Sequence, residues 1–191
     1  MTQQNVVSRT DTGFATLFLY WIDDLAVEFV VELKTDNAAL TLSSEMGGRI
    51  ESFQIDGREL MASYGPGDTH WGCYPMVPWA GRAANSTFDH RGHTVSLPAG
   101  CPPHALHGTT FARPWQQTAH QQLTTELGPD WPWPGRVDSR FDLGPDSMSW
   151  TMTVSSEAAS MPVVMGWHPW CRRQISDAGP GEFTIDAAHM W

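Results

Sequence analysis

The chain has 191 residues and a mass of 21.2 kDa, which suits one domain or part of a larger one. Apolar residues make up 41% and charged residues 17%, a composition too apolar and too weakly charged for a disordered protein. The net charge is −10, with one lysine against ten arginines. This charge predicts no basic surface for a phosphate backbone, so nucleic acid is not an expected partner.

Residues 1–36 differ from the rest of the chain, and we expect them to form an N-terminal extension. Carboxylates recur there every four positions beside an apolar stripe, which favours an amphipathic helix. The stripe consists of Leu17, Trp21, Leu25 and Phe29. The β-branched run Val27 to Leu33 is equally compatible with a strand, so both alternatives stay open.

The beginning of the chain and its most apolar window favour a cytoplasmic protein without a membrane span. Met1 to Thr10 is polar and lacks the apolar run of a secretory signal. The window Phe14 to Leu33 contains four carboxylates, which argues against a transmembrane helix. Three cysteines, Cys73, Cys101 and Cys171, cannot close a disulfide framework, and we expect inert free thiols.

After Asn37 the hydrophobic period changes to two, which is typical of strands. Residues 39–42 and 50–55 are predicted strands, joined through Met46-Gly47-Gly48. Asp56-Gly57 then predicts a tight turn into another short strand.

Further hairpins follow along the chain. Residues 89–92 predict one turn, and residues 144–147 predict another between strands 137–143 and 148–155. In the last of these strands Met148, Trp150, Met152 and Val154 should face a core, because they alternate with Ser and Thr. Short strands separated by turns predict an all-β sandwich or barrel.

The stretch from Trp71 to Trp115 is dense in His, Trp and Pro, and residues 165–170 repeat this composition. Such loops on a rigid β scaffold are where functional residues concentrate. Among them His90-x-x-His93 and Cys101-x-x-His104-x-x-His107 have the short spacing of metal ligands. The chain has no Cys-x-x-Cys and no helical H-E-x-x-H, so no metal is expected. We expect His90 and His93 to be exposed, His104 to be structural and Tyr74 to belong to the core.

Four motifs in order carry a resemblance to a known family. They are Met76-Val77-Pro78-Trp79-Ala80-Gly81-Arg82, His104-Ala105-Leu106-His107-Gly108, Trp133-Pro134-Gly135 and His168-Pro169-Trp170. Together they resemble the aldose 1-epimerase (galactose mutarotase) family, from about Asp36 to the end. The resemblance implies a large antiparallel β-sandwich that binds a monosaccharide in a cleft on one sheet, with residues 37–191 as its N-terminal and central part. It implies neither a cofactor nor a metal.

The resemblance also implies roles for single residues. Arg82 would hold sugar hydroxyls, His107 would bind near the ring oxygen, and His168 would be the general acid. Trp79 and Trp170 are candidates for covering the apolar face of the sugar, although core packing is the commoner use of such residues. In a version that carries the catalytic Glu of the family, a carboxylate near the cleft would favour the protonated form of His168.

Two departures from the family pattern matter. Many members have Asn where this chain has Gly81, and one hydrogen bond to the sugar is lost. The catalytic Glu and a sugar-binding Asp of the family are expected beyond Trp191. Glu182 and Asp186 lie where an ordinary strand would follow, and we assign neither a role.

The implied reaction interconverts the α and β anomers of a free hexose by acid/base ring opening. A His titrates near neutral pH and can give and recover a proton, which suits this chemistry. One alternative is a non-catalytic carbohydrate-binding module that lacks the base. Another is a hexose-6-phosphate 1-epimerase, for which Arg172 and Arg173 would supply cations near the phosphate.

Overall fold

The computed structural model describes residues 7–10, 13–16, 20–22, 25–27, 30–158, 160–177 and 179–186, with side chains from residue 30 onward. Its elements are almost all strands. The strands are β1 (Val7–Thr10), β2 (Gly13–Thr16), β3 (Tyr20–Ile22), β4 (Leu25–Val27), β5 (Val30–Lys34), β6 (Ala38–Ser43), β7 (Arg49–Ile55), β8 (Arg58–Glu59), β9 (Cys73–Met76), β10 (Arg82–Ala83), β11 (Thr87–His90), β12 (His93–Ser96), β13 (Ala105–Leu106), β14 (Gln116–Ala119), β15 (Gln122–Glu126), β16 (Gly135–Leu143), β17 (Met148–Ser156), β18 (Gly166–Pro169), β19 (Gln174–Ser176) and β20 (Gly179–Pro180). One 3₁₀ turn, Ala84–Ser86, precedes β11.

Two larger sheets organise these strands, and all their strand pairs are antiparallel. The six-stranded sheet has the order β18-β9-β7-β6-β5, with β8 paired to β7, and the four-stranded sheet has the order β14-β15-β16-β17. One apolar cluster includes buried residues of both sheets. Its members include Leu40, Leu42, Ile50, Leu123, Val137, Phe141 and Met152. The all-β antiparallel class predicted from the sequence is therefore confirmed.

The alternation of burial in β17 matches its sequence pattern. Met152 is buried and its neighbours on the same face are half-buried, whereas Ser149, Thr151 and Thr153 are exposed. β16 alternates in the same way and pairs with β17 along its full length. One face of this pair therefore contacts the core and the other contacts solvent.

The predicted turns are also present. Asp56 and Gly57 have positive φ angles of 50° and 73°, as a two-residue hairpin turn requires. Gly144 N–H donates to the Ser147 carbonyl at 2.8 Å in the turn before β17.

The 89–92 hairpin is confirmed, but His90 is half-buried, with its ring 5.3 Å from that of Trp133. The expectation that His90 is exposed is wrong because Trp133 covers it.

The N-terminal residues contain strands where they are described. β3 and β4 pair with each other within the segment for which a helix was one alternative, and β5 pairs with β6. Leu17 and Phe29 of the predicted stripe lie outside the described residues. The large sheet thus begins before residue 37, while the division of the chain at residues 36 and 37 stays a prediction. Among the described residues, no helix is long and apolar enough to span a bilayer.

Candidate functional site

Two histidines from separate sequence motifs lie side by side. The ring centroids of His107 and His168 are 5.1 Å apart, with the ring planes at 74°. His168 is on β18, and His107 directly follows β13. The fold therefore brings together the two residues that the resemblance marks as catalytic.

Flat rings surround His168. Tyr74 of β9 is opposite His168 in the strand register, and the two rings stack with centroids 4.8 Å apart and planes at 14°. Trp170 also stacks on His168, at 5.7 Å and 21°, and its indole N–H donates to the Thr69 carbonyl at 2.8 Å. These contacts hold the imidazole in one orientation. Trp170 thus lies in the candidate site, whereas its role against a sugar stays a prediction.

His107 has an unusual backbone conformation. Its φ angle is 56°, which is uncommon for a residue other than glycine, and such strain concentrates at functional sites. Gly108 forms a parallel bridge with Val77, and Thr109 N–H donates to the Val77 carbonyl at 2.8 Å. These contacts tie the loop that carries His107 to the end of β9, next to Tyr74.

Arg82 lies close to His107. β10 pairs with β13, so that Arg82 is opposite Leu106, and His107 N–H donates to the Gly81 carbonyl at 2.9 Å. The Arg82 side chain is exposed, yet its positive charge lowers the pKa of His107. The exposed guanidinium can therefore meet a ligand that reaches His107 from solvent.

Both imidazoles have lowered pKa values, which favour their neutral forms. Burial lowers the pKa of His107 to about 4, and the charges of His168 and Arg82 act in the same direction. Burial also lowers the pKa of His168, and His70 adds to this effect, while a backbone hydrogen bond of His168 itself opposes it. The Nδ1 atoms of both rings are buried and make no hydrogen bond, so each ring keeps an unused polar atom in the site.

The carboxylate expected to favour protonated His168 belongs to a version that carries the catalytic Glu, so the described part of the chain does not test that expectation. There, neither imidazole makes a hydrogen bond with an Asp or Glu side chain. The pKa of His168 is lowered here because burial acts without an opposing negative charge.

Trp79 packs against another tryptophan and the core. Its ring stacks on Trp131 with centroids 5.6 Å apart, and it packs against the apolar core. Its indole N–H is buried without a hydrogen-bond partner. The packing role is thus observed, and the role of Trp79 as a platform for sugar stays a prediction.

The candidate metal ligands form no cluster. Asn85 N–H donates to Nδ1 of His104 at 3.2 Å, and the backbones of Cys101 and His104 pair, as expected for a structural histidine. Among residues 30–158, 160–177 and 179–186, no three His, Cys, Asp or Glu side chains are placed to hold a metal ion.

Burial raises the pKa of Cys73 to about 12 and also raises that of Cys171, so these thiols are poor nucleophiles.

Sequence reasoning missed two residues that contact the histidine pair and a third that contacts one of those two. Tyr74, which the sequence predicts only as a core residue, is fully buried and stacks on His168. Phe111 has its ring 6.3 Å from that of His107 and 5.6 Å from that of Tyr74. Arg49 is also fully buried, with its guanidinium carbon 5.1 Å from the centre of the Tyr74 ring. The one local signal for Arg49 is a charged residue after two glycines at the start of a predicted strand.

Comparison with known proteins identifies the family of the chain. The family model described as aldose 1-epimerase matches residues 30–177. The uncharacterized protein YphB of Escherichia coli (strain K12) is 30% identical over 138 residues, which cover 66% of this chain and 47% of YphB.

Solved structures support the same fold. A crystal structure from Escherichia coli K12, described provisionally as an aldose 1-epimerase, is 28% identical with a TM-score of 0.63, covering 73% of this chain and 50% of that one. A galactose mutarotase-like protein from Clostridium acetobutylicum is 11% identical with a TM-score of 0.65, covering 92% and 56%, and shows the fold alone. The expected galactose mutarotase type of fold is thereby confirmed. The chain spans about half the length of these relatives.

Proposed function

The chain belongs to the aldose 1-epimerase family, and we propose that its site acts on the anomeric centre of a free hexose. The observation that carries this proposal is the pairing of His107 with His168 beside Arg82, at a ring separation of 5.1 Å. A neutral imidazole has one ring nitrogen that donates and one that accepts a hydrogen bond, which suits a hydroxyl-rich ligand. The exposed Arg82 guanidinium adds several donors in a planar fork.

The proposed reaction opens and closes the hemiacetal. A base removes the proton of the anomeric hydroxyl while an acid protonates the ring oxygen, and the bond between the anomeric carbon and the ring oxygen breaks. Rotation at the free aldehyde and reversal of both proton transfers give the other anomer. His168 is the proposed acid, His107 binds near the ring oxygen, and Arg82 holds hydroxyls.

The acid must be in its imidazolium form when it donates. The lowered pKa makes this form of His168 scarce at pH 7 but a stronger acid. A carboxylate on the opposite side of the sugar would raise that pKa and would also serve as the base. The family resemblance puts this Glu beyond the H-P-W motif, outside the 191 residues. We therefore propose that the chain binds a hexose and catalyses its mutarotation weakly or not at all.

A non-catalytic carbohydrate-binding module is the second candidate. It is favoured by one observation, namely that no described carboxylate hydrogen-bonds to His107 or His168. Such a module would keep the sugar contacts and lack the proton transfer, which typically contributes about 10²–10⁴-fold to the rate.

Polarimetry of freshly dissolved α-glucose or α-galactose separates the two candidates. We would compare the 191-residue chain with a longer version that carries a C-terminal Glu, and with the His168→Asn form of that version. Mutarotation by the longer version alone, abolished by His168→Asn, supports the epimerase. Sugar binding without mutarotation in both versions supports the binding module, and absence of both binding and mutarotation contradicts either candidate.

A further inference from the structure

Arg49 is a fully buried cation whose hydrogen bonds all go to backbone carbonyl groups. Its Nε donates to Met46 at 2.7 Å, Nη1 to Trp71 at 3.4 Å, and Nη2 to Asp68 at 2.8 Å and Phe111 at 3.1 Å. Among the described residues it forms no ion pair with a carboxylate. The planar guanidinium, with five N–H donors in a fixed geometry, is suited to binding carbonyl groups from three separate segments at once.

Two of these segments connect to the histidine pair, one of them through Trp170 and the other directly. The Thr69 carbonyl, next to Asp68, accepts the indole N–H of Trp170, and Trp170 stacks on His168. Phe111, whose carbonyl Arg49 also binds, has its ring against His107 and Tyr74. Arg49 thus joins the loop that supports His168 to the loop that follows His107.

Tyr74 provides a second connection. β9 lies between β7 and β18 in the sheet, so Tyr74 lies between Arg49 and His168. The guanidinium carbon is 5.1 Å from the centre of the Tyr74 ring, a distance at which a cation attracts the ring face. The same ring stacks on His168 at 4.8 Å. Any movement of Arg49 would therefore move the ring that orients the imidazole.

We propose that Arg49 is a positioning residue that sets the orientation of His168 relative to His107 through Tyr74, Trp170 and Phe111. It does not touch the sugar itself. The consequence for rate rests on the proposed function, whereas the consequence for the geometry of the two rings does not. Misplacement of a reacting group by about 1 Å can lower a rate by about 10²-fold.

The first test uses Arg49→Lys, which keeps the positive charge and removes the planar guanidinium with its several N–H donors. The imidazole C–H signals of His107 and His168 are followed by NMR over a pH titration, with Arg58→Lys as the control, since Arg58 is an exposed arginine on the adjacent β8. We expect both histidine signals to move in Arg49→Lys and their titration midpoints to rise towards the ordinary value as the rings become hydrated. Arg58→Lys should leave them unchanged. Unchanged signals and midpoints in a folded Arg49→Lys protein would overturn the inference.

A second variant covers the case in which Arg49→Lys does not fold. Tyr74→Leu leaves the four Arg49 hydrogen bonds in place and removes the ring between Arg49 and His168. We expect the His168 signal to move in this variant. A folded Tyr74→Leu protein with an unchanged His168 signal overturns the connection, and unfolding of both variants overturns it in favour of a purely structural role.

In a version with measurable mutarotation, Arg49→Lys should lower kcat by about 10-fold to 10²-fold with little change in KM. Loss of folded protein alone would instead lower the amount of active enzyme without altering the pH profile. If the NMR signals respond while no version shows mutarotation, the proposed function fails and the positioning role stands.

Discussion

Gly108 approaches Val77 so closely that a Cβ atom at residue 108 would lie 2.0 Å from the Val77 carbonyl oxygen. The φ angle of Gly108 is 83°, a conformation that other residues rarely adopt. This contact fixes the loop that carries His107 against the end of β9, where Tyr74 and His168 lie. Glycine at residue 108 is thus required twice, by the space available and by the backbone conformation.

Gly108→Ala should destabilise the protein by about 2–4 kcal/mol, since left-handed strain and overpacking add. Gly81→Ala is the matched control, because Gly81 has a φ angle of 73° and a methyl group there would have open space within 4 Å. It should cost about 1–2 kcal/mol from the backbone conformation alone. Urea unfolding of the three proteins measures the difference, and equal losses in the two variants would mean that the close contact with Val77 can relax.

Stability should fall as the pH is lowered from about 6.5 towards 4. The folded pKa of His107 is lowered to about 4 from 6.5, so the unfolded chain takes up a proton first as the pH falls. The contribution of this neutral His107 is complete above pH 6.5 and is lost between 6.5 and 4. The pKa of His168 is lowered too and acts in the same direction. We expect a lower urea midpoint at about pH 5 than at about pH 7.5.

His107→Gln should reduce that pH dependence, whereas His93→Gln, in an exposed hairpin position, should leave it as in the wild type. The same urea titrations at the two pH values provide the comparison. An identical decrease in the wild type and in His107→Gln would show that other groups cause it.

His168→Asn separates proton transfer from binding in a version that carries the base. Asn keeps a hydrogen-bond donor of similar reach and cannot donate a proton at neutral pH, so the catalysed rate should fall by about 10²-fold or more. Sugar affinity should change by less than about 1.4 kcal/mol, or tenfold. Arg82→Ala should instead weaken binding at least as much as turnover. Loss of affinity with an unchanged rate in His168→Asn would make His168 a binding residue and move the acid to His107.

Chelators should alter neither folding nor sugar binding. The described Cys101, His104 and His107 form no cluster, since His104 accepts a backbone hydrogen bond from Asn85. A thermal melt with and without EDTA checks this expectation. A decrease of several degrees in Tm with EDTA would indicate a bound metal that stabilises the fold.

Two strands of the four-stranded sheet, β16 and β17, could be predicted because local sequence alone indicates them. In β17, large apolar residues alternate with Ser and Thr, and this period of two is enough to assign the buried face. The turns at Asp56-Gly57 and 144–147 were predictable for a similar reason, since each depends on adjacent residues.

The contacts of Tyr74 and Arg49 around the site could not be predicted in the same way. Tyr74 meets His168 only because β18 pairs with β9, and Arg49 meets Tyr74 only because β7 is on the other side of β9. Strand order between distant segments leaves no mark in local hydrophobic periodicity. The N-terminal segment illustrates a second difficulty, because the carboxylates of residues 24–32 fit a helical period although β5 forms a strand paired to β6.

The central claim is that His107 and His168 form one hexose-binding site, and a sugar titration followed by NMR tests it most directly. We would add galactose or glucose to the 191-residue chain up to about 10 mM, above the usual KM range of about 1 μM–1 mM, and follow the imidazole signals. Both His107 and His168 should shift in a saturable manner with a common midpoint, more weakly in Arg82→Ala, while the signal of the exposed His93 stays in place. If neither histidine responds, or if His93 responds equally, the assignment of this site is contradicted.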